Sequence, residues 1–196
     1  MKPHRLLRAI RISKPAALLL AFLASTVALS AVGIVSSTAQ SAQDEREFKN
    51  TVPEHVPIKV KLRNEQSFKD KKNKKWAREL EIEVKNTGSK PIYFMYMVVV
   101  MPDMVVGGHP AGLQLTYGRK ELVRLDTPIQ SDDVPIMPGE TTILRISEVQ
   151  VRGYEKLRDE EGRPDPKNIE FDLQLINFGD GTGLRSTKGR PHPDPA

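Results

Sequence analysis

Apolar and polar residues alternate most strictly over residues 77–85. Successive side chains of a pleated strand point to opposite faces, so this spacing puts Leu80, Ile82 and Val84 on one side and Glu79, Glu81, Glu83 and Lys85 on the other. The pattern predicts a half-buried strand. Asn86-Thr87-Gly88-Ser89-Lys90-Pro91 supplies turn residues, and 92–101 then runs apolar, with β-branched and aromatic side chains on both faces. That run predicts a central strand covered on both sides. Residues 56–62 alternate as a first strand, which Pro57 assigns to a sheet edge. Short strands are expected at 113–117, 121–125 and 141–146. Residues 169–175 alternate again, with Ile169, Phe171, Leu173 and Leu175 inward. Ser147 and Gln150 have the spacing of a capping box, and Gly162 and Pro164 supply a stop, so one short helix is expected within 148–161. The remaining segments 63–75, 102–112 and 126–135 read as loops.

Some six or seven short strands with one helix point to an all-β fold of two packed antiparallel sheets over residues 56–181. Before it, Lys2, Arg5, Arg8, Arg11 and Lys14 precede an apolar run over 16–35 and the small residues Ser36-Ser37-Thr38-Ala39. Basic, apolar, then small is the order of a secretory signal, so 1–39 is expected to direct export and to be removed near Gln40. The alternative is a retained single span, because 20 apolar residues suffice to cross a bilayer. Residues 40–55 read as a flexible spacer and 182–196 as a disordered tail. The expected destination is the periplasm or the extracellular space.

Charge changes the picture once it is divided. The formal +5 belongs to the targeting segment: residues 1–39 hold five basic residues and no acidic one, leaving 25 of each sign beyond them. A nucleic-acid partner therefore loses its electrostatic basis. The chain has no cysteine, so disulfides, thiolate nucleophiles and thiolate metal sites are excluded, and the fold must rest on packing.

The alternation and turn over residues 80–90 with the apolar strand after it, and Pro138-Gly139-Glu140 ahead of a later strand, resemble the exported immunoglobulin-like domains of bacteria. The resemblance implies an immunoglobulin-like antiparallel β-sandwich of about seven strands and says nothing of partners. Asn177-Phe178-Gly179-Asp180-Gly181-Thr182 resembles the Phe-Gly-Asp-Gly turn of PKD-like domains, a likeness confined to that turn. The ending over 175–183, with Leu115-Thr116-Tyr117-Gly118-Arg119, is similar to exported bacterial proteins that carry no activity over.

The residues offer three kinds of candidate chemistry. Four methionines, Met95, Met97, Met101 and Met104, crowd ahead of His109, and thioethers with imidazole are ligands that Cu(I) prefers, so Met97, Met101, Met104 and His109 form a candidate copper set. The competing role of methionine is to fill core space. Asp132, Asp133 and Asp180 could lend oxygens to Ca²⁺, although the chain has no Asp-x-Asp-x-Asp-Gly loop. A hydrolase or carbohydrate-binding domain would need Glu81, Glu83, Glu170 or Asp172 to converge beside Trp76 or Tyr117, and the chain has no Gly-x-Ser-x-Gly or His-Glu-x-x-His. The leading expectation is a non-catalytic module without a cofactor. It acts by protein or cell-envelope contact and meets the membrane through the N-terminal segment alone, if that is kept. Asp103, His109, Asp132, Asp133 and Trp76, which stands beside a lysine-rich run, mark the candidate interaction loops.

Overall fold

A computed structural model describes residues 45–193. The targeting segment expected over 1–39 lies outside them, and among the described residues no helix is long and apolar enough to cross a membrane. The described residues form nine strands in two sheets with three helices. The strands are β1 (Glu47–Asn50), β2 (Ile58–Leu62), β3 (Ile82–Asn86), β4 (Phe94–Val106), β5 (His109–Tyr117), β6 (Thr141–Leu144), β7 (Asn168–Asn177), β8 (Gly183–Arg185) and β9 (Arg190–His192). The helices are α1 (Glu65–Lys69), α2 (Trp76–Glu79) and α3 (Glu148–Asp159), with a 3-10 turn at Lys120–Val123. The larger sheet runs β5-β4-β7-β8-β9, with β1 added to β7, and the smaller runs β2-β3-β6. Every ladder is antiparallel except β1 on β7.

The two alternating stretches set the core. Ile82 and Val84 of β3 and Phe171 and Leu173 of β7 are fully buried and join Met95, Met97, Val99 and Leu115 in one cluster fed by both sheets. Burying each such side chain is worth roughly 1.5–3 kcal/mol, so a one-residue slip of β7, which would exchange Phe171 and Leu173 for Glu170 and Asp172, is strongly opposed. β4 sits mid-sheet between β5 and β7, as the apolar run predicts. Its two faces differ, however. Met95, Met97, Val99 and Met101 are sealed in the core, while Tyr96, Val98 and Val100 on the other face are half-buried beside exposed Gln114 and Thr116.

Several segments depart from the sequence reading. Residues 76–79 form helix α2, so the strand expected from Ala77 starts at Ile82, although Leu80 is buried all the same. The loop expected over 102–112 is a continuation of β4 and β5 around the two-residue turn Gly107-Gly108. Both glycines have positive φ, 59° and 85°, which is what a two-residue hairpin matching the strand twist requires. The strand expected over 121–125 is the 3-10 turn instead. It plugs a second small core of Phe94, Leu122, Leu125 and Leu175.

Leu175 reaches that second core through a register shift. Tyr96 faces Leu175 but Met97 faces Leu173, so Gln174 is left without a partner on β4. The extra residue turns Leu175 away from Ile169, Phe171 and Leu173 and admits Ile176 to the main core, where strict alternation puts Leu175. The spacer expected over 40–55 contains β1, and the tail expected from 182 contains β8 and β9, which extend the sheet beyond β7. Ser147 opens α3 as expected but makes no side-chain cap bond.

Two buried asparagines close the ends of β3 and β7. Asn86 donates to the carbonyls of Lys90 and Ile136, each at 2.9 Å, and accepts from Gly88 N at 3.0 Å. Asn177 donates to Leu122 O at 2.8 Å and accepts from Gly179 N at 2.7 Å. Each stands two residues before a glycine, so a side-chain-capped turn recurs at both sites.

Gly118 sets the exit of β5. Its φ is +84°, and a Cβ there would lie 2.1 Å from Tyr93 O. Gly107, at φ +59°, has open space around it. Gly107→Ala is expected to cost about 1–2 kcal/mol from the left-handed backbone alone, and Gly118→Ala roughly twice that or more, because Tyr93 must also move. Urea midpoints of the two variants check the order, and equal losses contradict it.

Candidate functional site

Trp76, a candidate for stacking on a partner, is buried at 1 % exposure. Its indole Nε1 donates to Tyr154 Oη at 2.8 Å and to Asp165 Oδ1 at 3.3 Å. The Tyr154 hydroxyl also donates to Asp165 Oδ1. The other carboxylate oxygen, Oδ2, takes Arg46 Nη2 at 2.6 Å. Arg46 is wholly buried: its Nε donates to Pro166 O at 3.2 Å, its Nη1 to Phe68 O, and its guanidinium lies over the Trp76 ring at 4.9 Å. Phe68, Trp76 and Tyr154 meet edge to face, with ring centres 5.8 and 5.2 Å apart. Burial pushes the Tyr154 phenol up, and the Asp165 carboxylate adds to the shift, so the group stays a neutral donor.

This cluster joins α1, α2, α3 and the segment that enters β1. Its charges are neutralised in place and its donors are spent, so it holds structure and offers no free acid or base. The sequence reading did not find it, because Arg46 lies in a polar stretch and Asp165 between two prolines; lone Phe48 in that stretch was the available signal.

The copper set does not come together. Met97, Met101 and Met104 are buried at 0–1 % exposure in the core, whereas His109 is exposed beside the hairpin turn, paired with Val106. Strand alternation turns Met97 and Met101 inward and the register shift after Met101 brings in Met104, and all three join the core cluster of Leu115 and Phe171, the core-filling role of methionine.

The calcium set is likewise divided among protein partners. Asp133 receives Arg119 Nε at 3.0 Å and Nη2 at 2.9 Å, plus Gln130 N at 2.7 Å. Asp180 receives Lys90 Nζ at 2.7 Å and Thr182 N at 3.0 Å, and Asp132 is exposed. Among the described residues no three His, Asp or Glu side chains gather as a metal site would need. Asp103 accepts from Lys167 N at 2.8 Å and Asn168 N at 3.2 Å, so it fixes the start of β7.

The paired acids lie on different sheets. Glu81 meets Arg145 and Arg63 on the smaller sheet, while Glu170 meets Lys49 at 2.9 Å and Asp172 meets Thr51 on the larger. Tyr117 is half-buried and donates to Val134 O at 2.9 Å. A recess of about 250 Å³ between β1 and β4 is lined by Phe48, Pro102 and Ile169 and by one of the candidate carboxylates, Glu170, but neither Trp76 nor Tyr117 borders it.

What the structure does assemble is a braced connection from Arg119 to Met137. The Arg119–Asp133 fork, Arg119 to Pro128 O at 3.2 Å and Tyr117 to Val134 O hold it to the end of β5. It nonetheless leaves Val134 72 %, Met137 46 % and Ile129 42 % exposed. The 126–135 loop expected from its composition is therefore a pinned ridge on which exposed Ile129 and Val134 stand among exposed Gln130, Ser131 and Asp132. Compared with known proteins, the chain matches no family model, no curated protein and no solved structure.

Two outcomes follow from this geometry. Arg46→Ala strands the Asp165 carboxylate in the interior and is expected to cost about 3–5 kcal/mol, read from the urea midpoint, whereas Lys49→Ala in the exposed pair with Glu170 should leave that midpoint unchanged. A loss below 1 kcal/mol for Arg46→Ala would show that the pair is not holding the cluster. The Lys90 ammonium and Thr182 hydroxyl hold the Asp180 carboxyl down to about 2. A depressed folded value means that the contribution of Asp180 to stability is complete above the ordinary carboxylate value and fades as pH falls toward about 2. An NMR titration should place the Asp180 midpoint near 2 in the parent chain and higher in Lys90→Ala.

Proposed function

We propose that this chain is a non-catalytic exported module of the immunoglobulin-like sandwich type, acting by contact with a protein of the cell envelope through the 119–137 ridge. One observation carries the reading: the ridge is pinned by Arg119 and Tyr117 while Val134, Met137 and Ile129 stay in water. A pinned loop has already lost its freedom, so a partner that covers these side chains gains their remaining burial, less than the roughly 1.5–3 kcal/mol of a fully exposed side chain and largest at Val134, without ordering the loop. The hairpin tip adds exposed Val105 and Val106, a second apolar point on the surface first marked as the 102–112 loop.

The sandwich reading is supported by two sheets that share one core. Export rests on the basic, apolar, small-residue order of residues 1–39. A non-catalytic role is supported by Glu81, Glu170 and Asp180, each engaged by a cation.

A photo-crosslinking residue placed at Val134 in the producing cell, with a matched one at exposed Lys85 on β3, checks the reading. A discrete protein adduct is expected at Val134 and not at Lys85. No adduct at Val134, or the same adducts at both, removes the ridge as the contact surface.

A further inference from the structure

β5 is the outer strand of the larger sheet, and its free edge is closed in an unusual way. The side-chain amide of Gln150, in the first turn of α3, accepts from Gln114 N at 2.5 Å and donates to Gln114 O at 3.0 Å. Both backbone groups of Gln114 therefore point away from β4, as its place opposite Val98 in a pair without mutual hydrogen bonds requires. The same alternation turns the backbone groups of Gly112 and Thr116 outward, and all three residues are exposed. Pro110, next in that series, has no N–H to offer. Gln150 thus stands where the peptide group of a neighbouring strand would stand.

We infer that the β5 edge is a strand-accepting surface kept shut by Gln150, and that the occupant it excludes is β5 of a second copy of this chain. Self-pairing fits this edge for a reason of charge. An antiparallel register centred on Gln114 opposes Gly112 to Thr116, and residues 112–116 carry no charge that would repel its own image. Of the other outer strands, β2 carries Lys59 and Lys61, β9 carries Arg190 with Pro191, β1 carries Glu47 and Lys49, and uncharged β6 is four residues long between Glu140 and Arg145. A second point holds the stopper in place. Arg78 of α2 grips the same first turn of α3 through Glu148 at 2.7 Å and reaches Glu155 at 2.9 Å. Buried Val151 and Tyr154 root the rest of α3 in the core, so releasing the edge means that Gln150 lets go and the first turn, no longer gripped by Arg78, frays out of the space that an incoming strand needs.

The test follows the purified full-length chain by sedimentation velocity over a concentration series, with circular dichroism as the check of folding. Gln150→Ala combined with Arg78→Ala is expected to form a dimer whose share grows with concentration, while the parent chain stays at one chain mass. Adding Gln114→Lys places like charges face to face at the centre of the register and is expected to return the protein to one chain mass. A folded released variant that stays monomeric overturns the inference, and so does a dimer that Gln114→Lys leaves intact. Hydrogen exchange on the parent chain is independent of how any variant folds. The Gln114 amide is expected to exchange more slowly than those of Gly112 and Thr116, and equal exchange at the three positions overturns the stopper.

Discussion

The buried pair of Arg46 and Asp165 is the constraint on which the helical side of this molecule depends. A guanidinium with no solvent exposure is costly unless every donor is met and a counter-charge lies within reach. Here the carboxylate, the carbonyls of Pro166 and Phe68 and the faces of Trp76 and Phe68 meet those needs together. The groups that satisfy Arg46 come from α1, α2 and the segment ahead of β7, and Tyr154 of α3 joins through Asp165. Three short helices with little propensity to form alone thereby acquire fixed positions against one edge of the core.

What was legible in the chain follows physical periodicity. Period-two alternation identified β2, β3 and β7, and an unbroken apolar run identified β4, because burial on one face or two leaves that trace whatever the partners are. Turn chemistry was only half legible. Gly107-Gly108 reads equally as loop punctuation or as a two-residue hairpin, and nothing local tells that Val105 and His109 continue the strands on either side. Residues 121–125 alternate well enough for a strand, but the second core needs Leu122 and Leu125 three positions apart, as on a turn of helix. The bulge at Gln174 was invisible, since an extra residue changes facing without changing composition.

The candidate chemistry was less legible than the fold, for a reason that Met97 and Asp133 illustrate. Residue type limits what a side chain can do, but direction decides what it does. Alternation along β4 turns Met97 and Met101 inward, away from exposed His109, and the nearness of Arg119 commits Asp133 to bracing a loop. Val134 carried no sequence signal at all. Its place arises from a bond to its backbone carbonyl that fixes the loop while the side chain projects outward.

The place of Arg46 has a mechanical consequence. The chain enters β1 immediately after the clamp, and β1 lies parallel to β7 over four residue pairs, Glu47 with Asn168 through Asn50 with Phe171. A pull on Glu45 along the axis of β1 would therefore meet the ionic clamp first and, behind it, four rungs loaded together in shear instead of peeled singly. The folded body is fastened to whatever precedes it by a grip that resists withdrawal.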